Sequence, residues 1–160
     1  MIFRVLILFP FLFPAFASSA AEPDHEESRQ VMGTLAVVAA WTGDPTKAGH
    51  AVDEAYDVFS RVDSLMSTWR DDSALTALNR APAESWIEVG PEVAAVLVEA
   101  KAVAEASGGA YDPTILPLVR LWGFRGGDPA IPTGDDLAAV LARVDHTLLE
   151  VDERAGRARL

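Results

Sequence analysis

Cysteine is absent from the 160-residue sequence. Without thiols the chain forms neither disulfide bonds nor thiolate metal sites, and no lipid is attached through an N-terminal cysteine. Several catalytic motifs are missing as well: the Walker phosphate loop, the GxGxxG fingerprint, the HExxH zinc motif and the Ser–His–Asp order. These absences remove the enzyme classes that depend on such motifs.

Basic residues are scarce. The sequence has 13 lysines and arginines against 24 aspartates and glutamates, which gives a formal net charge of −11. A surface of this sign repels phosphate backbones, so the composition argues against nucleic-acid binding and against contact with anionic membranes. Half of the residues are apolar (50%), which is enough for the modest core of one domain.

Long apolar runs are confined to the N-terminus. Residues 1–21 combine one charge, Arg4, with the run "VLILFPFLFPAF" and the small residues "ASSAA". This order is typical of a secretory signal peptide, and it predicts a periplasmic or secreted protein. An uncleaved N-terminal anchor is the alternative. Residues 22–30 carry many charges and predict a solvated leader, so that the domain proper begins at residue 31 and runs to residue 160.

The periodicity of the remaining chain predicts an α+β fold in which helices pack on a sheet. "VMGTLAVVAAW" indicates a strand, and residues 47–66 repeat apolar side chains every three or four positions, as a helix does. A short helix follows over residues 71–79, capped by Asp72 or Ser73. "SWIEV" indicates a strand, and Pro91 opens a further helix.

The last quarter of the sequence predicts a helix from Thr133 and then two strands, "HTLLEV" and "RARL". The final strand runs to the last residue, so the hairpin is expected to be unfinished. This pattern predicts that the sequence is the front part of a longer protein.

A conspicuous break occurs in "ASGGAYDPTILPLVRLWGF", residues 106–124. The paired glycines end the helix that begins at Pro91, because glycine adopts the left-handed backbone found at helix ends. Asp112 followed by Pro113 is typical of a helix N-terminus, with Asp112 as the cap. The alternative is a ligand edge, at which the Asp112 carboxylate and the Tyr111 ring meet a polar molecule.

Three other candidate residues also allow two interpretations. Met32 in "MGT" and Trp69 in "MSTW" fit core packing as well as ligand contact, and Asn79 fits the polar end of the short helix. His146 is isolated in the sequence and is expected at the surface.

Three motifs, taken in order, resemble the ApbE family of flavin transferases. They are "MGT", "LMSTWRDDSALTALN" and "SGGAYDPTILPLVRLWGF", and the resemblance runs from about residue 31 to residue 160. It implies a magnesium-dependent, secreted or periplasmic enzyme that transfers FMN from FAD to a threonine hydroxyl of a target protein and releases AMP. The implied targets are flavoprotein subunits, including those of membrane redox pumps. Some members hydrolyse FAD to FMN and AMP instead.

The resemblance also implies which residues contact FAD. They are Met32, Trp69, Ala110, Tyr111, Asp112 and, ranked below these, Asn79. Many members have tyrosine at the position of Trp69, so the stacking role is retained while a phenolic hydrogen bond is lost. Catalytic residues are not assigned.

Magnesium ligands are not expected in this chain. The two pairs of adjacent aspartates, at residues 71–72 and 135–136, fit helix N-termini, where carboxylates are stabilising without a metal. The metal-binding segments of the family are expected in a second half that the sequence lacks. Three hypotheses follow: an FMN transferase whose FAD-contacting half is this chain, a secreted flavin-binding fragment without turnover, and an acidic structural domain. The chain from residue 22 is expected to release no AMP from FAD.

Overall fold

The structure is a computed structural model and describes residues 21–160. The expected signal peptide therefore lies outside the described residues, apart from Ala21. In chain order the elements are β1 (His25–Val31), β2 (Thr34–Ala40), α1 (Pro45–Met66), α2 (Ala74–Arg80), β3 (Ile87–Glu88), α3 (Pro91–Ala106), α4 (Leu116–Leu121), α5 (Gly134–Leu141), a 3-10 helix (His146–Leu148), β4 (Glu150–Asp152) and β5 (Arg157–Arg159).

Two antiparallel sheets are present, and helices pack on them, which confirms the expected α+β class. β1 and β2 form a two-stranded sheet, whereas the second sheet has the order β3-β5-β4. β5 is thus the central strand and pairs on both sides. The expected terminal hairpin is β4–β5, and β3 extends it to three strands.

The prediction of a solvated, charged leader over residues 22–30 is wrong for residues 25–30, because His25–Val31 forms β1. Alternate side chains of β1 are half-buried, and the Arg29 guanidinium lies 4.3 Å from the centre of the Tyr56 ring of α1. The Tyr56 hydroxyl lies 2.7 Å from the carbonyl oxygen of Glu27. The charged residues of this segment therefore belong to a strand whose inner face packs on α1.

"VMGTLAVVAAW" is accordingly not one strand. Met32 and Gly33 form a two-residue turn between β1 and β2, with φ values of 46° and 76°. A turn with positive φ at both central residues has a twist that matches the twist of the two antiparallel strands it joins. The turn leaves the Met32 side chain half-exposed at the tip of the hairpin.

The main core lies between α3, α2 and the three-stranded sheet. α3 contributes Val93, Ala94 and Leu97 to a cluster that also includes Leu78, Val89, Leu149 and Ala158. α3 ends as expected: Gly108 and Gly109 have φ values of 61° and 83°, and the Gly109 N–H donates to the carbonyl of Ala104. A smaller cluster beneath the hairpin contains Ala48, Val52 and Tyr56 of α1.

Among residues 21–160, none of the helices combines the length and the apolar character needed to cross a membrane.

We expect Val93→Ala to lower the free energy of unfolding by about 2 kcal/mol, because two buried carbons are lost and a cavity remains. Val93 is 1% exposed, whereas Val96 on the same helix is 49% exposed and provides the matched control. Val96→Ala should change stability by less than about 0.5 kcal/mol. Urea unfolding followed by circular dichroism measures both, and equal losses would contradict the position of the core.

Candidate functional site

The candidate site is centred on Trp69, which lies in the loop after α1. Its side chain is 77% exposed, which is unusual for an indole. The loop is fixed by a buried hydroxyl: Ser73 donates to the carbonyl of Ser67 at 2.7 Å and accepts from the N–H of Thr76 at 3.0 Å. Ser73 is thus the cap of α2, one of the two caps expected, and it also holds the loop that presents Trp69.

Arg125 covers one face of the indole. Its guanidinium carbon lies 4.5 Å from the ring centre, and it donates a hydrogen bond to the Thr68 hydroxyl. Within residues 21–160 Arg125 forms no ion pair with a carboxylate. A cation on an aromatic face, free of acidic partners, is uncommon on a chain of this acidity and can attract an anion.

Gly123 shapes the loop that brings Phe124 and Arg125 to the cavity at Trp69. Sequence reasoning assigned no role to Gly123. Its φ is 72°, and a Cβ at this position would lie 2.2 Å from the carbonyl oxygen of Asp128. Only glycine therefore permits the tight loop after α4. The signal available in the sequence was the glycine between two aromatic residues in "LWGFR".

Two cavities meet at Trp69. The first, of about 330 Å³, extends from Trp69 and Arg125 to Asn79 and to the backbone segment of Pro113 and Thr114. The second, of about 520 Å³, extends from Trp69 to the hairpin tip at Met32. The structure therefore groups three of the six expected contacts around one indole: Met32, Trp69 and Asn79.

The position of Asn79 excludes its interpretation as a helix cap, since the C-cap of α2 is Ala81. Asn79 is half-buried, and in the described part of the chain its amide has no hydrogen-bond partner. An unused amide at a cavity wall can both donate to and accept from a ligand.

The other three expected contacts, Ala110, Tyr111 and Asp112, line neither of these cavities. Ala110 and Tyr111 are exposed in the turn after α3, where the Tyr111 N–H donates to the Ser107 hydroxyl at 3.1 Å. Asp112 is turned inward. The residues that follow it, from Pro113 to Leu116, line the first cavity.

Asp112 is not the cap of a helix that starts at Pro113, and that prediction is wrong. α4 begins at Leu116, because a helix from Pro113 would place Pro117 in its interior without an N–H to donate. The Asp112 carboxylate instead accepts from Thr114 and, at 2.9 Å, from the N–H of His146. His146 is correspondingly half-buried, with its Nδ1 3.7 Å from Asp112, and not a surface residue.

Hydrogen bonding controls the charge of Asp112. Partial burial raises the pKa of its carboxyl, and the bonds from Thr114 and His146 lower it by more, so that it lies below the ordinary value of 3.8. The carboxylate is thus ionised at neutral pH. It serves as an acceptor that joins two loops.

No group of three or more histidines, aspartates or glutamates within residues 21–160 is arranged to hold a metal ion. The described residues therefore offer no cluster of three or more such ligands to the magnesium that the sequence resemblance implies.

Comparison with known proteins identifies the family. The family model described as "ApbE family" matches residues 32–160. The chain belongs to the ApbE family. The FAD:protein FMN transferase of Treponema pallidum is 33% identical over 134 residues, which are 83% of this chain and 36% of that protein. The corresponding protein of Salmonella typhimurium is 32% identical over 79% of this chain and 37% of its own length.

Solved ApbE structures share the fold. The flavinyl transferase ApbE of Pseudomonas stutzeri, in its apo form, superposes with a TM-score of 0.73 at 26% identity and covers 84% of this chain. This chain covers 46% of that structure. It thus spans less than half of the solved relative and little more than a third of the curated relatives, and the expected family and fold are confirmed.

We expect Asp112→Asn to lower the free energy of unfolding at pH 7 by on the order of 2 kcal/mol, because an amide nitrogen cannot accept from the His146 N–H. The folded pKa is depressed, so the contribution of Asp112 is present above pH 3.8 and is lost as the pH falls further. The gap between the wild type and the variant should therefore be constant from about pH 7 to 5 and shrink below about pH 3.8.

Urea unfolding at each pH measures this gap. Asp57→Asn, at an exposed position of α1, is the control and should have little effect at any pH. A gap for Asp112→Asn that is unchanged at pH 3 would contradict an ionised, hydrogen-bonded carboxylate.

Proposed function

We propose that this chain is the FAD-binding part of an FAD:protein FMN transferase. One observation carries the placement of the ligand: the exposed Trp69 indole is the common wall of two cavities and has at one face the Arg125 guanidinium, which forms no ion pair within residues 21–160. Support for the activity comes from the ApbE relatives, whose names state it.

A dinucleotide suits this arrangement physically. FAD has two flat ring systems joined by a pyrophosphate, and Trp69 separates two cavities that could each receive one end. An indole stacks on flat heteroaromatic rings, and the Met32 side chain at the hairpin tip supplies a polarisable apolar contact. The Asn79 amide is available to a ring edge or a ribose hydroxyl. Arg125 offsets the pyrophosphate charge in a chain that is otherwise strongly acidic.

In the proposed transfer, the hydroxyl oxygen of an acceptor threonine attacks the phosphorus on the FMN side of the pyrophosphate, and the bond from this phosphorus to the bridging oxygen breaks. AMP leaves with that oxygen, and the threonine proton passes to a base that we do not assign. The acceptor class is a flavoprotein subunit, such as one of a membrane redox pump. Because the described residues contain no cluster of three or more ligands for Mg²⁺, no step is assigned to the metal.

The proposed location is the periplasm or the exterior of the cell. It rests on the order of charge, apolar run and small residues in residues 1–21. This location is compatible with an acceptor that faces the outer side of a membrane.

A second candidate is flavin binding without transfer. It is favoured by the lack, within residues 21–160, of a carboxylate or imidazole cluster beside Trp69 that could hold a metal. Phosphoryl transfer depends on cations and on exact positioning at the reacting phosphorus, and one arginine provides only part of this.

We expect Trp69→Ala to weaken FAD binding by about tenfold to a hundredfold, since stacking on one aromatic side chain contributes on this scale. Trp69→Tyr keeps a ring and should retain most of the affinity. Trp41→Ala is the control: this indole is also exposed, at 61%, and lines neither cavity. Quenching of flavin fluorescence on titration with the full chain measures the affinity. Equal losses in Trp69→Ala and Trp41→Ala would overturn the placement of the flavin.

We expect the full chain to bind FAD and to release no AMP when Mg²⁺ is added. The physical reason is the lack of a metal-binding cluster within residues 21–160. Chromatography of the nucleotides after incubation with FAD and Mg²⁺, with and without EDTA, measures the release. EDTA-sensitive AMP production above the rate in buffer would show that the chain itself supplies the metal site.

A further inference from the structure

The Asp112 carboxylate is occupied on both oxygens by donors from the chain itself. Oδ1 accepts from the Thr114 N–H at 2.8 Å and from the Thr114 hydroxyl at 2.6 Å, while Oδ2 accepts from the His146 N–H at 2.9 Å. The side chain is only 12% exposed. A carboxylate has about four acceptor positions, so three of them are used before any ligand arrives.

The Thr114 hydroxyl extends this connection. It donates its one hydrogen to Asp112 and accepts from the N–H of Asp145 at 2.9 Å. Thr114 is itself buried, at 8% exposure. Two side chains thus join residues 112–114 to the start of the 3-10 helix, which is more than thirty residues away along the chain. We call these four hydrogen bonds the loop staple.

The loop staple fixes a wall of the first cavity. Like Trp69 and Arg125, Pro113 and Thr114 line that cavity. They lie between the glycines that end α3 and the start of α4 at Leu116, where no helix or strand holds the backbone. Bonds to residues 145 and 146 therefore hold this part of the cavity wall in place.

A direct contact between Asp112 and the ligand fits these observations less well. The carboxylate lines neither cavity at Trp69 and would have to break bonds to three donors to reach one. A carboxylate that turned toward the pyrophosphate would also repel it.

We propose that Asp112 is a positioning residue that acts on flavin affinity through the loop staple, by holding in place the Pro113–Thr114 wall of the cavity that Trp69 also lines. This inference rests on the proposed function, since it assigns the flavin to the cavity at Trp69.

Substitutions at Thr114 distinguish the effect of the hydrogen bonds in the loop staple from the effect of the shape of the cavity wall on FAD affinity. Thr114→Val keeps the shape and removes the hydroxyl, whereas Thr114→Ser keeps the hydroxyl and removes a methyl group. We expect Thr114→Val to weaken FAD binding by about tenfold and Thr114→Ser to stay within about twofold of the wild type. The reverse order would show that the methyl group matters and the staple does not.

Proline substitutions test the backbone donor and remain informative if Thr114→Val does not fold. His146 is the first residue of the 3-10 helix and follows an extended residue, a position that accepts proline. His146→Pro removes the N–H that Asp112 accepts, while His146→Ala keeps it. Gly134→Pro makes the same change at the first residue of α5 and is the matched control. Only His146→Pro should weaken FAD binding, and unchanged affinity in a folded His146→Pro would overturn the proposal.

A double-mutant cycle separates positioning from ligand contact. If Asp112 acts through the staple, Asp112→Asn combined with His146→Pro binds FAD no more weakly than the weaker-binding single variant. Losses that multiply would mean that Asp112 contacts the ligand independently, which would overturn the proposal.

Amide hydrogen exchange distinguishes failure of this inference from failure of the proposed function. In the absence of flavin, Asp112→Asn should increase exchange at the N–H groups of Thr114, Asp145 and His146. The N–H of Gly109, at the end of α3, should be unaffected. Unchanged exchange at the first three would overturn the staple. A wild-type chain that shows the protection and yet binds no FAD would overturn the proposed function and, with it, the effect on affinity.

Discussion

The candidate site depends on the buried hydroxyl of Ser73. This hydroxyl donates to the carbonyl of Ser67, just after the end of α1, and accepts from the N–H of Thr76 in the first turn of α2. Ser73 is 1% exposed, so a lost partner would not be replaced by water and the connection is correspondingly costly to break. Trp69 lies between these anchors, and its indole is exposed. Arg125 then stacks on it from a loop whose path requires glycine at position 123.

A second connection holds another segment that lines the first cavity. The Asp112 and Thr114 side chains hold residues 112–114 by bonding to residues 145 and 146, much as Ser73 holds the loop that carries Trp69. Both use short polar side chains that satisfy backbone groups at or beside the ends of helices, where such groups would otherwise be unpaired. The lining of this cavity also includes the apolar side chains of Leu78, Leu97 and Leu149. Loops that are held in place before binding lower the entropy cost of binding a ligand.

Sequence reasoning succeeded where the signal lies within a few adjacent residues. The end of α3 at Gly108 and Gly109, the cap at Thr133 and the apolar stripe of α1 each follow from local rules of helix geometry. Sequence reasoning did not predict β1, because its many charged residues suggested a solvated segment. In the structure Arg29 of this strand pairs with Glu27 and stacks on Tyr56. Sequence reasoning also failed at Asp112, where the pair Asp-Pro suggested a cap and Pro117 prevented the helix.

The sequence by itself determined the family, the α+β class and the residue types at the site, since motif order and periodicity are properties of the chain. It could not determine which of these residues come together. The chain separates Met32 from Trp69 by 37 positions and Trp69 from Asn79 by 10 positions. These residues come together because α1 packs on the β1–β2 hairpin and because Ser73 fixes the loop after α1. The tertiary structure alone also decided that Asp112 faces His146, because the two meet only when the chain returns after α5. Contacts between distant segments depend on packing, and no local pattern encodes them.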